Sequence, residues 1–166
     1  MTTKLAMWLQ GNGVQPEFPP IAQLRMAGSA WFTGIDQSFN WFHFPICAPV
    51  VYDGAMTRLE RVFVLYRMQF AAVEVVHVWS GSSRLAVFNV IQEAGSVRNQ
   101  PDVDRNSFLP GKTQFDLVPA FAGPMETPRG LSVSVKVRFD SRGEFEARRD
   151  LGKIEFFAAG ADWTMP

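Results

Sequence analysis

The sequence predicts an all-β fold, an antiparallel β-sandwich of jelly-roll type with about eight or nine strands, in a single domain covering residues 1–166. Leu131 to Phe139 alternates apolar and polar side chains, which is the pattern of a strand buried on one face. Clusters of Gly, Pro, Asn and Asp separate the apolar runs, and β-branched and aromatic residues dominate those runs. Together these observations favour short strands joined by turns.

The N-terminal third contains three predicted elements. Leu5, Met7 and Leu9 alternate with a second set of residues, which predicts a strand, and Gly11-Asn12-Gly13 then predicts a turn. The second set is Lys4, Ala6, Trp8 and Gln10. The prolines of residues 15–20 make the connection to Met26 extended, or at most one helical turn. A short strand is expected at residues 30–35.

An aromatic strand is predicted from Asn40 to Phe44. Its two faces separate cleanly, and both are expected to be at least partly covered: Trp41, His43 and Pro45 on one, Phe42, Phe44 and Ile46 on the other. Pro45 and Pro49 withhold backbone donors, so the strand should end near Phe44, and Asp53-Gly54 supplies a turn.

The run from Arg58 to Val76 contains neither Gly nor Pro and admits a helical reading as well as a strand reading. Its β-branched and aromatic content favours two antiparallel strands joined near residues 68–70. Ser80 to Ser83 predicts a turn, followed by a strand from Leu85 to Ile91.

Two regions are predicted to be long loops, at about residues 92–130 and 140–152. The first is interrupted by one short strand at Gln114 to Val118, and the last strand is expected at Ile154 to Ala159. Loops of this length are either binding loops or plain insertions.

Composition limits the functional classes. Hydrophobic residues make up 47% of the chain and charged residues 19%, so it is globular. The 16 basic and 16 acidic side chains balance, so neither nucleic acid nor an anionic membrane is an expected partner. Cys47 is the single cysteine and no signal peptide is evident, which indicates a cytoplasmic location. The apolar neighbours of Cys47 predict that its thiol is partly buried and unreactive.

The two histidines are the most reactive candidates. His43 and His77 could meet across paired strands and, with Glu17 or Asp53, form a metal site or an acid–base pair. The accompanying ligand spacing is absent, so we expect both to be structural, with no metal, no cofactor and no catalytic residue.

The five tryptophans are stronger candidates for binding. Trp41 and Trp79 are expected in the core, whereas Trp8, Trp31 and Trp163 are expected to be accessible to a ligand. On the strand from Arg61 to Met68, Phe63 and Leu65 share the face opposite Val62 and Val64. If the latter face is core, the former is an exposed apolar patch, which predicts a homo-oligomer interface at Phe63 and Leu65.

One resemblance spans nearly the whole chain. It is carried by Trp8 to Val14, Asn40 to Ile46, Val75 to Gly81 and Gly130 to Val133, and its most specific part is the Trp-Phe-His-Phe-Pro element at residues 41–45. These segments resemble a bacterial family of small all-β proteins catalogued as a domain of unknown function. The resemblance implies an all-β fold and brings no catalytic residues with it.

We therefore expect a non-catalytic interaction or self-assembly module that contacts copies of itself or another protein. A carbohydrate-binding, lectin-like domain is the first alternative, and a small enzyme using His43 or His77 is the second.

Overall fold

A computed structural model describes residues 3–89, 111–116, 125–139 and 151–165 of the chain. Within these ranges the chain is almost entirely β-strand, with one 3-10 turn at Gly11–Gly13 and no α-helix. Two antiparallel sheets, called sheet A and sheet B below, pack face to face. The predicted β-sandwich is confirmed, and the helical reading of Arg58 to Val76 is excluded.

Sheet A contains seven strands. They are β1 (Thr3–Gln10), β3 (Ala22–Met26), β4 (Ser29–Gly34), β8 (Arg58–Gln69), β11 (Gly111–Asp116), β12 (Met125–Glu126) and β14 (Gly152–Met165). The order is β11-β8-β14-β4-β3, with β1 also paired to β14 and β12 to β8.

Sheet B contains five strands in the order β10-β9-β13-β5-β2. They are β2 (Gln15–Pro16), β5 (Phe39–Ile46), β9 (Ala71–Ser80), β10 (Ser83–Asn89) and β13 (Leu131–Phe139). A separate hairpin joins β6 (Val51–Tyr52) to β7 (Ala55–Met56). Its turn has positive φ at Asp53 (48°) and Gly54 (78°), as the Asp-Gly pair predicts.

Strand β14 is the central strand of sheet A. It pairs with β8 on one side, while on the other its first half pairs with β4 and its second half with β1. The sequence predicts an end at Ala159, but the strand runs on to Met165. Gly160 resembles a strand breaker, yet its missing side chain is required here, because a Cβ atom would lie 2.7 Å from the Trp8 ring.

The predicted hairpin between residues 58 and 76 is wrong in its pairing. Both strands exist, but β8 pairs with β14 and β11 in sheet A, whereas β9 pairs with β13 and β10 in sheet B. The chain crosses between the sheets at Phe70, which has a φ of 51°. Alternation of apolar and polar residues predicts that a segment is a strand, but it does not predict which other strand that segment pairs with.

Three smaller differences concern strand limits. The extended segment before Met26 forms strand β3, and β5 continues through Pro45 to Ile46 because both residues lie in register with β13. The strand expected at Gln114 to Val118 overlaps β11, which begins at Gly111, and positions 117 and 118 lie outside the described residues. Most of the two predicted loop regions, namely positions 92–110, 117–124 and 140–150, lies outside the described residues.

The core lies between the sheets and is rich in phenylalanine. Phe32 and Phe156 of sheet A meet Phe42 and Phe44 of sheet B, with ring centroids 4.8 Å apart for Phe32 and Phe42 and 5.2 Å apart for Phe44 and Phe156. All four rings are fully buried. Edge and tilted contacts of this kind add to the stabilisation from burial itself.

Trp163 belongs to this core, so its predicted accessibility is wrong. It is fully buried, and its indole N–H donates to the hydroxyl of Thr127 at 3.4 Å. Because β14 continues past Ala159, the alternation of that strand turns Trp163 inward.

The apolar patch predicted around Phe63 and Leu65 is also largely covered. Strand β1 lays Trp8 over Phe63, with ring centroids 5.3 Å apart and planes at 11°, and the Arg61 guanidinium lies 5.8 Å from the same ring. Phe63 is consequently buried within the monomer and Leu65 is half-buried. The structure thus removes the argument for an interface at Phe63.

Candidate functional site

A groove of about 410 Å³ lies on the outer face of sheet B, away from the core. Three of the five strands of the sheet, β5, β9 and β13, bring residues to that face, and Glu17 reaches it from the segment after β2. The groove is lined by Glu17, Trp41, His43, His77, Trp79, Gly81, Ser132 and Ser134. It therefore collects both histidines, two of the tryptophans and one of the two carboxylates that the sequence singled out.

Strand register places the two histidines on either side of one serine. Ser134 of β13 is opposite His43 of β5 on one side and opposite His77 of β9 on the other. Neighbouring strands lie about 4.8 Å apart, so the three side chains form a row across the sheet. The sequence predicts that the two histidines could meet across paired strands. In the structure β13 lies between β5 and β9, so the histidines lie on either side of Ser134.

His43 contacts polar groups through both ring nitrogens. Its Nδ1 lies 2.9 Å from the Ser134 hydroxyl oxygen, and its Nε2 lies 3.5 Å from a carboxylate oxygen of Glu17. With the proton on Nε2, the ring faces the carboxylate with a donor and accepts a hydrogen bond from Ser134 at Nδ1. The result is a chain of carboxylate, imidazole and hydroxyl along the groove floor.

The side chain of Asn40 in β5 holds the backbone next to Glu17 through two hydrogen bonds, which we call the Asn40 clamp. The buried side chain of Asn40 donates to the Phe18 carbonyl at 2.8 Å and accepts from the Phe18 N–H at 3.1 Å. The Glu17 N–H also donates to the Trp41 carbonyl at 2.8 Å. These three bonds hold the backbone from which the Glu17 side chain extends toward His43.

The aromatic wall of the groove consists of Trp41, His77 and Trp79. The His77 ring centroid lies 4.7 Å from that of Trp41 and 5.8 Å from that of Trp79. Both indoles are half-buried, which leaves part of each ring facing the groove. Aromatic surface beside a few fixed polar groups is typical of small-ligand sites.

The surroundings of His77 favour its neutral form. Partial burial lowers the pKa of its imidazole below the ordinary value of 6.5, and the positive charge of Arg84 lowers it further. A neutral ring presents one donor and one acceptor, so His77 offers hydrogen bonding without a charge near pH 7.

The arrangement of Ser134, His43 and Glu17 has the composition of a hydrolytic triad but lacks its setting. Ser134 is only 4% exposed and lies in β13, which pairs along both edges. Among the described residues, the backbone N–H groups of β13 beside Ser134 pair in the sheet ladders and are not placed as an oxyanion hole. The groups that line the groove can form hydrogen bonds and stack on rings.

Metal binding finds little support in the donor set. Among the described residues, no group of three or more His, Cys, Asp and Glu side chains is placed to hold a metal ion. Asp53, the other carboxylate considered with the histidines, lies in the exposed turn between β6 and β7 and does not line the groove.

Two expectations for this region are wrong. Trp41 and Trp79 are not enclosed in the core, because the second face of β5 and β9 lines an open groove. Cys47 was expected to be partly buried but is exposed, just beyond the end of β5. Alternation correctly separates Trp41 and His43 from Phe42 and Phe44, but it does not show whether another layer covers the outer face.

Trp8 and Trp31 are accessible, as predicted, at 50% and 40% exposure. Both stand on the outer face of sheet A, on the opposite side of the sandwich from the groove. Trp31 lies 5.6 Å from the guanidinium of Arg67, which also pairs with Glu155 at 2.5 Å. The three tryptophans predicted to bind a ligand thus do not form a common site.

Ser132, Ser134 and Gly81 were not identified as site residues from the sequence. A usable signal was present in β13, where Ser132 and Ser134 occupy the polar face of the most regular strand. A polar face of a sandwich strand lies on the outside of its sheet. Residues on the outer faces of the neighbouring strands, β5 and β9, therefore lie beside Ser132 and Ser134.

These features define a β-sandwich protein with an aromatic and polar groove on one outer face. The chain belongs to a family of unknown function (DUF6623), whose model matches residues 2–162. No curated protein and no solved structure matches it. In the described part of the chain, no helix has the length and apolarity needed to cross a membrane.

Proposed function

We propose that the protein is a carbohydrate-binding module and that the groove on sheet B is its binding site. The observation that carries the proposal is the convergence of Trp41 and Trp79 with the hydrogen-bonding groups of His43, His77 and Glu17 on one open face. Sugars combine apolar ring faces, which stack on indoles, with hydroxyls that both donate and accept hydrogen bonds.

The size and rigidity of the groove support a small ligand. Its volume of about 410 Å³ falls toward the lower end of the range for ligand pockets, which suits one sugar ring or the end of a longer glycan. The polar groups stand on paired strands or on the segment clamped by Asn40, so little ordering is needed when a ligand binds. The Trp-Phe-His-Phe-Pro element at residues 41–45 contributes two residues to the proposed binding site, because Trp41 and His43 both line the groove.

Calorimetric titration with a panel of methyl glycosides tests the proposal. Binding should be lost in Trp79→Ala and Trp41→Ala, because each removes an indole from the groove. Trp31→Ala is the matched control, since it removes a partly exposed indole from the opposite face. Absence of binding to every sugar in the panel, or loss of binding in Trp31→Ala alone, would reject the assignment.

Protein contact is a second proposal, and the outer edge of β3 favours it. β3 is the last strand of sheet A on its side, and its five residues are all exposed. Ile21, Leu24 and Met26 are 52%, 52% and 61% exposed. An exposed apolar edge strand can pair with a strand of a second copy and continue the sheet.

Light scattering after size-exclusion chromatography tests self-association through β3. The dimer fraction of the natural sequence should fall in Leu24→Lys, because a lysine at the edge opposes strand pairing. Val87→Lys, on the edge strand β10 of sheet B, is the control and should leave the dimer fraction unchanged. A protein that is monomeric at micromolar concentration throughout would contradict this second proposal.

A further inference from the structure

We propose that the groove selects acidic sugars and that Arg84 binds the sugar carboxylate. This inference rests on the proposed carbohydrate-binding function and assigns a ligand class to the same site. Four features support it: the position of Arg84, the position of Arg129, the charge distribution on this face, and the geometry of a guanidinium on an indole.

Arg84 lies beside the aromatic wall. In β10 it is in register with Trp79 of β9, and its guanidinium carbon lies 5.9 Å from the centroid of the Trp79 ring. Among the described residues, no carboxylate lies within ion-pairing distance of this guanidinium. Arg84 is therefore a cation at the groove margin that is held by an aromatic ring and not by an acid.

Arg129 lies at the same end of the groove. Its backbone N–H donates to the Ser80 hydroxyl at 3.2 Å, and its side-chain carbons pass so close to Gly81 that a Cβ atom there would meet them at 3.0 Å. Gly81 lines the groove, and its φ of 57° suits glycine. The segment before β13 thus brings a second arginine next to Gly81, at this end of the groove.

The charges on this face are unbalanced although those of the chain are equal. Lys136 and Arg138 share Glu74, at 3.0 and 3.2 Å, and Glu17 faces His43. Arg84 and Arg129 add two positive charges at the Trp79 end, with no matching carboxylate in the described part of the chain. An anionic ligand group would find its complement there.

The geometry favours a planar carboxylate. The Arg84 guanidinium carbon lies over the Trp79 ring at 5.9 Å from its centroid, and among the described residues no carboxylate occupies the N–H edges of this guanidinium. Those edges match the two oxygens of a carboxylate in a bidentate pair. A uronic acid would place its ring against Trp79, its carboxylate at Arg84 and its hydroxyls toward His77, Ser134 and His43.

Matched sugar pairs provide the test: methyl β-glucoside against methyl β-glucuronide, and methyl α-galactoside against methyl α-galacturonide, each titrated calorimetrically at low salt. The acidic member of a pair should bind at least about tenfold more tightly, and the difference should shrink at higher ionic strength because the site is open to solvent. Sulfated sugars form a third arm and should bind less tightly than the uronides.

Variants then separate Arg84 from general electrostatics. Arg84→Gln should reduce uronide affinity at least about tenfold and abolish the preference for the acidic member of each pair, and Arg84→Lys should restore only part of that preference. Arg58→Gln, which removes an exposed arginine from sheet A, is the charge-matched control and should bind like the natural sequence. Circular dichroism of each variant establishes that it is folded.

The outcomes distinguish this inference from the proposed function. Equal binding of neutral and acidic sugars would overturn the inference and leave the carbohydrate-binding function standing. An acid preference that survives Arg84→Gln would overturn the role of Arg84. A stronger preference for sulfated sugars would overturn the carboxylate assignment, and absence of all sugar binding would overturn the function itself.

Discussion

Trp163 and Trp31 carry the same side chain in opposite environments. Trp163 is fully enclosed between the sheets, while Trp31 lies on the outer face of sheet A and is 40% exposed. Trp163→Ala should therefore lower the free energy of unfolding by about 3–5 kcal/mol, since it leaves a large cavity and removes the hydrogen-bond donor to Thr127. Trp31→Ala should cost less than half as much. Urea unfolding measures both, and similar losses would contradict the described position of Trp163.

His77 supplies a prediction about pH. Its pKa in the folded protein lies below 6.5, so the unfolded chain binds the proton more readily. The free energy of unfolding should therefore fall as the pH decreases from above 6.5 toward the lower pKa of His77 in the folded protein, because protonation of His77 favours the unfolded chain. His77→Gln should flatten that dependence in urea unfolding between pH 8 and pH 5. An unchanged slope would show that His77 is not held neutral.

Arg84 offers an independent check on the same imidazole. Burial is the larger cause of the lowered pKa and Arg84 the smaller one. In Arg84→Gln the pKa of His77 should rise but remain below its ordinary value, as followed by the ring proton shifts in an NMR titration. A pKa that falls in this variant would contradict the placement of Arg84 beside the groove.

Sequence reasoning was effective at this scale where it concerned alternation. The two faces of β5 were separated correctly, and Leu5, Met7 and Leu9 of β1 turn to the more buried side. It failed where the outcome depended on a distant strand. Phe63 is covered because β1, more than fifty residues earlier, carries Trp8 across Gly160. Nothing local to Phe63 indicates that cover.

At the scale of elements, the Asn40 clamp is expected to hold the segment that carries Glu17. Asn40→Ala removes two hydrogen bonds to Phe18 and leaves its backbone groups without those partners, which costs about 1–3 kcal/mol. The amide protons of Glu17 and Phe18 should exchange faster with solvent, as measured by NMR.

Ser38→Ala is the control for this clamp. Its hydroxyl makes one exposed bond to the Ile35 carbonyl in the neighbouring connection, so its loss should leave the exchange at Glu17 and Phe18 unchanged. If Asn40→Ala leaves their exchange rates unaltered as well, the clamp is not what positions the carboxylate.

The prediction of the strands succeeded because β-branched and aromatic residues mark extended segments regardless of their partners. The pairing of β8 and β9 could not be predicted in the same way. A hairpin and a crossing between two sheets both require a sharp change of direction, and Phe70 adopts a positive φ without being Gly or Asn. The histidine row depends on that crossing, because it places β9 beside β13.

At the scale of the whole molecule, the two outer faces differ in character. Sheet A carries arginines that are paired with acids, such as Arg61 with Asp162 at 3.1 Å and Arg67 with Glu155. Sheet B carries the groove, with cations at one end that have no acidic partner among the described residues. The two faces lie on opposite sides of the sandwich. Substitutions on sheet A, such as the control variants Trp31→Ala and Arg58→Gln, should therefore leave ligand binding at the groove on sheet B unchanged.

A second whole-molecule prediction follows from the centre of sheet A. Removing residues 152–166 leaves β8, β4 and β1 without the strand that joins them. This shortened chain should be unfolded by circular dichroism, whereas Met165→Ala, which changes only the end of β14, should remain folded. A folded shortened chain would show that β14 is dispensable.

The position of β14 also bears on how the protein is made. A ribosome delivers β14 after every other described strand of both sheets, and β1 finds its partner in β14 only when residues 158–165 have been added. Sheet A therefore cannot close before β14 has been made, and its unpaired edges stay available to other nascent chains until then. Protection by a chaperone during synthesis should matter more for this protein than for one whose neighbouring strands are consecutive.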